Sequence, residues 1–132
     1  MAKPIHMKGK RKRAIARATL HEGTGKIRIN GVLLDLIQPT VARMKIREPL
    51  LLAGDTAHTV DIDVNVVGGG FMSQAESARL AVAKALAKFD KKLEKVFLEY
   101  DRLLLVADVR LKETHKPNRH GKARAKVQKS YR

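Results

Sequence analysis

Between Thr59 and Val67 the chain alternates strictly, with Val60, Ile62, Val64 and Val66 on one side and Asp61, Asp63 and Asn65 on the other. A period of two with β-branched residues on one face predicts a strand with one buried and one wet face. Gly68, Gly69 and Gly70 end it. Ser73, followed three residues later by Glu76, has the form of a capping box with Ser73 as N-cap. Beyond it Ala78, Val82, Ala85, Leu86 and Phe89 recur at spacings of three and four, and Leu93, Val96 and Phe97 extend the pattern. That spacing predicts an amphipathic helix, long or only slightly broken. A half-buried strand, a glycine turn and a helix thus follow one another here.

The flanking segments fit that frame. RAIARATL at 13–20 reads as a strand with Ala14, Ala16, Ala18 and Leu20 on one face and Arg13, Ile15, Arg17 and Thr19 on the other. HEGTG at 21–25 reads as a hairpin loop leading into a second strand, KIRIN at 26–30, before Asn30-Gly31 turns the chain again. Mixed signals from Val32 to Ala53, interrupted by Pro39 and Pro49, predict one or two short helices. LLLVA at 103–107 fits a last helical turn or a short strand.

Charge divides the chain more sharply than hydropathy does. Of a net +15, residues 1–17 supply +7, from Lys3, Lys8, Lys10, Arg11, Lys12, Arg13 and Arg17 with no acid. Residues 110–132 supply +8, from nine basic side chains against Glu113 alone. The centre is electrically balanced, so its folding meets no self-repulsion. Domain organisation follows: a basic N-terminal extension at 1–10, a globular core at 11–109 and an extended basic tail at 110–132. Two dense Lys/Arg blocks at opposite ends point to a polyanionic partner, because counterion release from phosphates is what such blocks drive.

Other functions find little support. No apolar run approaches the roughly 18 residues of a membrane span, and the basic start is followed by no apolar signal-peptide region. A cytoplasmic location is expected. With no cysteine there is neither a disulfide nor a thiolate ligand or nucleophile. His6, His21, His58, His115 and His120 form no metal-ligand spacing, and no metal or other cofactor is expected. The strand-GGG-helix junction invites a phosphate cradle but lacks the GK[ST] of a P-loop, so backbone contact with RNA or a tight turn fits it better. Asp61 and Asp63 could mimic a carboxylate pair, yet their pattern is that of solvent-facing strand residues. Ser73, Ser77 and Ser130 sit in no nucleophile elbow. Aromatic residues make up only 4%, so recognition by phosphate contact and shape is expected rather than base stacking. No catalytic role is assigned to any residue.

GKIRINGVLLDLIQP at 25–39, VDIDVNVVGGGFMSQAESARLAVAKAL at 60–86, YDRLLLVAD at 100–108 and ARAKVQKSYR at 123–132 together resemble the universal small-subunit ribosomal protein S nine family, in its archaeal and eukaryotic branch. The resemblance spans nearly the whole chain. It implies a single small α/β (α+β) domain, a four-stranded sheet packed on helices, with a βαβ crossover of the ribosomal S five domain-two-like type. It implies a structural constituent of the small ribosomal subunit, bound to ribosomal RNA in the subunit head beside neighbouring ribosomal proteins.

The same resemblance implies that the C-terminal tail reaches peptidyl-site transfer RNA, with Lys129, Ser130, Tyr131 and Arg132 at the contact and Arg132 at its tip. Ribosomal RNA contacts are expected at Lys8, Lys10, Arg11, Lys12, Arg13, Arg17, Gly68, Gly69, Gly70, Gln74, Arg79, Arg110, Lys112, Lys116, Arg119, Lys122, Arg124 and Lys126. Alternation along a first strand would let only some of Lys10 to Arg13 bind. Reach is no obstacle: 22 steps from Arg110 at about 3.3 Å each allow roughly 70 Å when extended. Relatives usually carry a glycine pair after the basic start of the tail, whereas HKPNRHGKA at 115–123 has Pro117 and only Gly121, which leaves the path of residues 115–121 open. A free-standing nucleic-acid chaperone with disordered basic arms is the alternative reading.

Overall fold

The computed structural model describes residues 2–125 together with 130 and 131. Five strands, β1 (Ile5–Arg11), β2 (Ala14–Glu22), β3 (Ile27–Ile29), β4 (Val32–Leu33) and β5 (Val60–Val67), form one mixed sheet in the order β1-β2-β5-β3-β4. Three helices, α1 (Thr40–Ala53), α2 (Phe71–Phe89) and α3 (Lys92–Tyr100), share one core with its inner face. The expected sheet on helices is present, with a two-residue edge strand, β4, making the count five rather than four. β3 and β5 run parallel through α1, which is the βαβ crossover.

The strand reading of β5 holds: Val60, Ile62, Val64 and Val66 are buried, Asp63, Asn65 and Val67 are exposed and Asp61 is half-buried, while Thr59 belongs to the 3-10 turn before the strand. Ala14, Ala16, Ala18 and Leu20 of β2 are buried beside them. Each fully buried valine or leucine contributes about 1.5–3 kcal/mol. Against this surface α2 lays Ala75, Ala78, Val82, Ala85 and Leu86. Small residues on both sides bring helix and sheet close together. At Gly9 the approach is closest, since a Cβ there would lie 2.1 Å from the Ser77 carbonyl oxygen and 2.7 Å from the Ala81 nitrogen.

Several local expectations change. Ile5–Arg11 lies largely in the stretch 1–10 expected as an extension, yet it pairs with β2 from Ile5↔Leu20 to Arg11↔Ala14 as an edge strand. The Lys12-Arg13 turn joins the two, with Lys12 at φ 53°. β2 and β3 do not form a hairpin: β5 lies between them. The 21–25 loop is splayed across its end, where the Asp61 carboxylate accepts hydrogen bonds from the Thr24 and Lys26 amides, each at 2.8 Å. The hairpin partner of β3 is β4, through Asn30-Gly31.

The capping box is not formed. Gly70 is the N-cap of α2, Ser73 lies inside the helix, and Glu76 turns to Arg11 instead. Gly68 and Gly69 take φ of 78° and 67°, a left-handed path that suits glycine, and they deliver the chain straight into the helix at Phe71. The region read as one or two short helices holds β4, a 3-10 turn at Leu34–Leu36 and one 14-residue helix running through the buried Pro49. A break at Asp90–Lys91 separates α2 from α3, and LLLVA opens in a 3-10 turn, Arg102–Leu104, that buries Leu104.

Candidate nucleic-acid interface

Strand alternation sorts the basic residues of the first hairpin between two faces. Lys8 and Lys10 of β1 point away from the helices, and Arg17 of β2 is the register partner of Lys8. Lys12 and Arg13, exposed, crown the turn. The glycine triplet abuts that turn: a Cβ on Gly68 would lie 2.7 Å from the Arg13 carbonyl oxygen, and one on Gly69 would lie 3.1 Å from the Ala14 nitrogen. Gln74 braces the loop, its side-chain amide donating to the Gly68 carbonyl at 3.1 Å. Lys8, Lys10, Lys12, Arg13, Arg17 and Gly68–Gly70 therefore form one corner of the sheet. None of its five cations has a carboxylate within ion-pair distance among the described residues.

Two other expected contacts face inward. Arg11 sits on the helix side of β1, where its Nε donates to the Glu76 carboxylate at 2.8 Å and its Nη2 lies 3.5 Å from Asp108. Arg79 of α2 pairs with Glu48 of α1 at 2.5 Å and with Asp101 at 3.2 Å. Both guanidiniums are largely buried, with side chains 16% and 12% exposed. Together with Lys45, which pairs with Glu76 at 3.6 Å, these groups line a cleft of about 420 Å³ between β1, α1, α2 and the chain beyond α3. Compensated charges of this kind knit elements together and offer phosphate little net attraction.

The acids of the cleft are held by donated hydrogen bonds that favour their ionised form. Asp108 lies well below the usual carboxylate range, first because the Arg110 guanidinium hydrogen-bonds it and then because the Arg110 amide does. Asp101 is lowered chiefly by the Leu103 amide, which it accepts at 3.0 Å, with Arg79 adding to the effect. Asp61 is lowered by the amides of Lys26 and Thr24. It is thus an organiser of the 21–25 loop, and Asp63 pairs with Arg28 across the open face at 3.7 Å.

The tail departs from an extended path. Glu113, its one acid, pairs with Arg124 at 2.5 Å, while the Lys116 amide donates to the Lys122 carbonyl at 2.9 Å. Residues 113–124 thereby double back around Pro117 and Asn118, the latter at φ 57°. This supplies the path of 115–121 without the glycine pair. Arg110 and Arg124 are engaged by Asp108 and Glu113, whereas Lys112, Lys116, Arg119 and Lys122 are exposed. Ser130 and Tyr131 are exposed; Lys126, Lys129 and Arg132 lie outside the described residues.

Sequence reasoning passed over Lys84. It projects from α2 to the rim of β1, where it donates to the Lys8 carbonyl at 3.3 Å and carries positive charge around the sheet edge. Its position one residue from buried Ala83 and Ala85 gave no hint of this. Among the described residues no group of His, Asp and Glu could hold a metal ion, and no helix is long and apolar enough to cross a membrane.

The family described as "Ribosomal protein S9/S16" matches residues 9–132. The protein named small ribosomal subunit protein uS9 from Methanococcus vannielii is 51% identical over 98% of this chain and 99% of its own length. Its namesake from Methanococcus maripaludis is 50% identical over the same shares. With the family matched over nearly its whole length, the chain belongs to the ribosomal protein S9/S16 family.

Proposed function

We propose that this small-subunit ribosomal protein works in the cytoplasm, seated on ribosomal RNA in the subunit head through the corner of Lys8, Lys10, Lys12, Arg13, Arg17 and Gly68–Gly70. In this reading its C-terminal tail contacts peptidyl-site transfer RNA. The observation that carries the seat is the sorting of charge. Arg11 and Arg79 are spent on internal carboxylates, while the five corner cations have no carboxylate partner among the described residues and lie beside the exposed Gly68–Gly70 loop. Phosphates would meet uncompensated positive charge there.

For the tail, the support is its composition and its exposure: Lys112, Lys116, Arg119 and Lys122 are all solvent-facing, and the chain ends in Lys-Ser-Tyr-Arg. Release of the Glu113–Arg124 pair is required for full reach, and an exposed ion pair of this kind costs little to open. Gly121, Gln74 and neighbouring head proteins complete the expected surroundings without carrying the reading.

Two experiments test it. On sucrose gradients the protein comigrates with small subunits, and a mainly free pool would favour the chaperone alternative. Deletion of Lys129 to Arg132 leaves assembly intact and weakens filter-retained transfer RNA in the peptidyl site. Unchanged affinity would remove the tail from the reading.

A further inference from the structure

Among the described residues the last regular element ends at Leu104, and Val109 is already 85% exposed. Between them Leu105 still packs against the core, and Asp108 is the last residue gripped before the exposed tail. The Asp108 side chain, 13% exposed, lies 3.5 Å from Nη2 of Arg11 and accepts from the amide, Nε and Nη2 of Arg110 at 3.0, 3.0 and 2.6 Å. Nη1 of the same Arg11 donates to the Arg110 carbonyl at 3.4 Å, and its Nε holds Glu76. One guanidinium thus joins the end of β1, helix α2 and the root of the C-terminal tail, a three-way junction that a planar fork makes and an ammonium does not.

From this junction we infer that Arg11 and Asp108 form a clasp that fixes the direction in which the C-terminal tail leaves the domain. Arg11 is a positioning residue, and it immediately precedes the Lys12-Arg13 turn of the proposed RNA seat. The seat and the exit of the tail are therefore held in one rigid unit. A tail pivoting freely at residue 108 would spread its tip over a wide volume, whereas a fixed root concentrates the tip along one path. The purpose of the clasp rests on the reading that the tail has a distant RNA target; the clasp itself is a property of the free protein.

The chain has no cysteine, so paired labels can be placed cleanly. Spin labels at Lys95→Cys on α3 and Lys112→Cys at the tail root give one narrow distance distribution in the free full-length protein. Asp108→Asn and, independently, Arg11→Lys broaden it at least twofold, while a control pair at Glu22→Cys and Lys95→Cys stays narrow and reports an intact fold. A parent distribution as broad as the variants, or variants as narrow as the parent, would overturn the clasp. Transfer RNA binding by subunits lacking Lys129 to Arg132 tests the underlying reading separately, because the distance measurement involves no RNA.

Discussion

Gly9 and Ser77 are pressed together so closely that no side chain fits between them: a Cβ on Gly9 would fall 2.1 Å from the Ser77 carbonyl oxygen. The obstructing atoms are backbone of α2, which cannot swing aside as a flexible side chain would. Gly9→Ala is therefore expected to push β1 off the helix and destabilise the domain by about 3 kcal/mol. Thermal denaturation followed by circular dichroism should show a fall in Tm on the order of 10 °C. A change within a degree or two would mean that β1 is not seated on α2 as described.

Asp61 supports the loop that carries the chain past β5 from β2 to β3. Asp61→Ala removes the acceptor for the Thr24 and Lys26 amides and is expected to cost about 1–2 kcal/mol in urea unfolding, the exposed setting reducing the effect. Asp63→Ala loses only the exposed pairing with Arg28 and should stay within about 0.5 kcal/mol. Equal effects of the two would contradict the assignment of Asp61 as loop organiser.

Stability should also fall in acid. Asp61, Asp101 and Asp108 are held below their ordinary values in the folded chain, so the unfolded chain takes up protons first as pH drops. Their stabilisation is complete above about pH 5 and is lost progressively as pH falls through the carboxylate range toward the lowered folded-state values. Urea midpoints should be nearly level between pH 7 and pH 5 and decline steeply below about pH 4. A decline concentrated between pH 7 and pH 5 would implicate histidines instead.

The two faces of β2 and β5 were legible because both strands bury one side and wet the other, which prints alternation directly onto the sequence. Pairing partners were not, since local pattern carries no record of which strand inserts between two others. Hence 13–20 and 26–30 read as a hairpin although β5 separates them. Ser73 and Glu76 misled for a related reason: Gly70 already begins the helix, and Glu76 serves Arg11, 65 residues away in sequence. At the site, counting charge found the basic block at 1–17, but only register shows that it is a hairpin with Lys8 and Lys10 facing outward while Arg11 faces in. The reversal at 113–124 depends on one acid meeting one of several equivalent arginines, a choice that composition leaves open.

That division among basic residues predicts distinct salt behaviour. If ten phosphates are neutralised across hairpin and tail, binding to head-region ribosomal RNA has a log-log salt slope of about −7 to −9. Replacing Lys8, Lys10, Lys12 and Arg13 together with alanine should make the slope shallower by about 3–4. Arg79→Met should leave the slope unchanged and lower thermal stability, because its partners are Glu48 and Asp101. A shallower slope for Arg79→Met would place that residue on the RNA.

The most direct measurement is a map of the small subunit containing this protein, with transfer RNA in the peptidyl site. The prediction is that Lys8, Lys10, Lys12, Arg13 and Arg17 face ribosomal RNA phosphates, and that the Glu113–Arg124 pair is open, with Arg132 against the anticodon stem. A map with that corner turned to solvent, or with residues 113–124 still folded back and no tail density near transfer RNA, would contradict it.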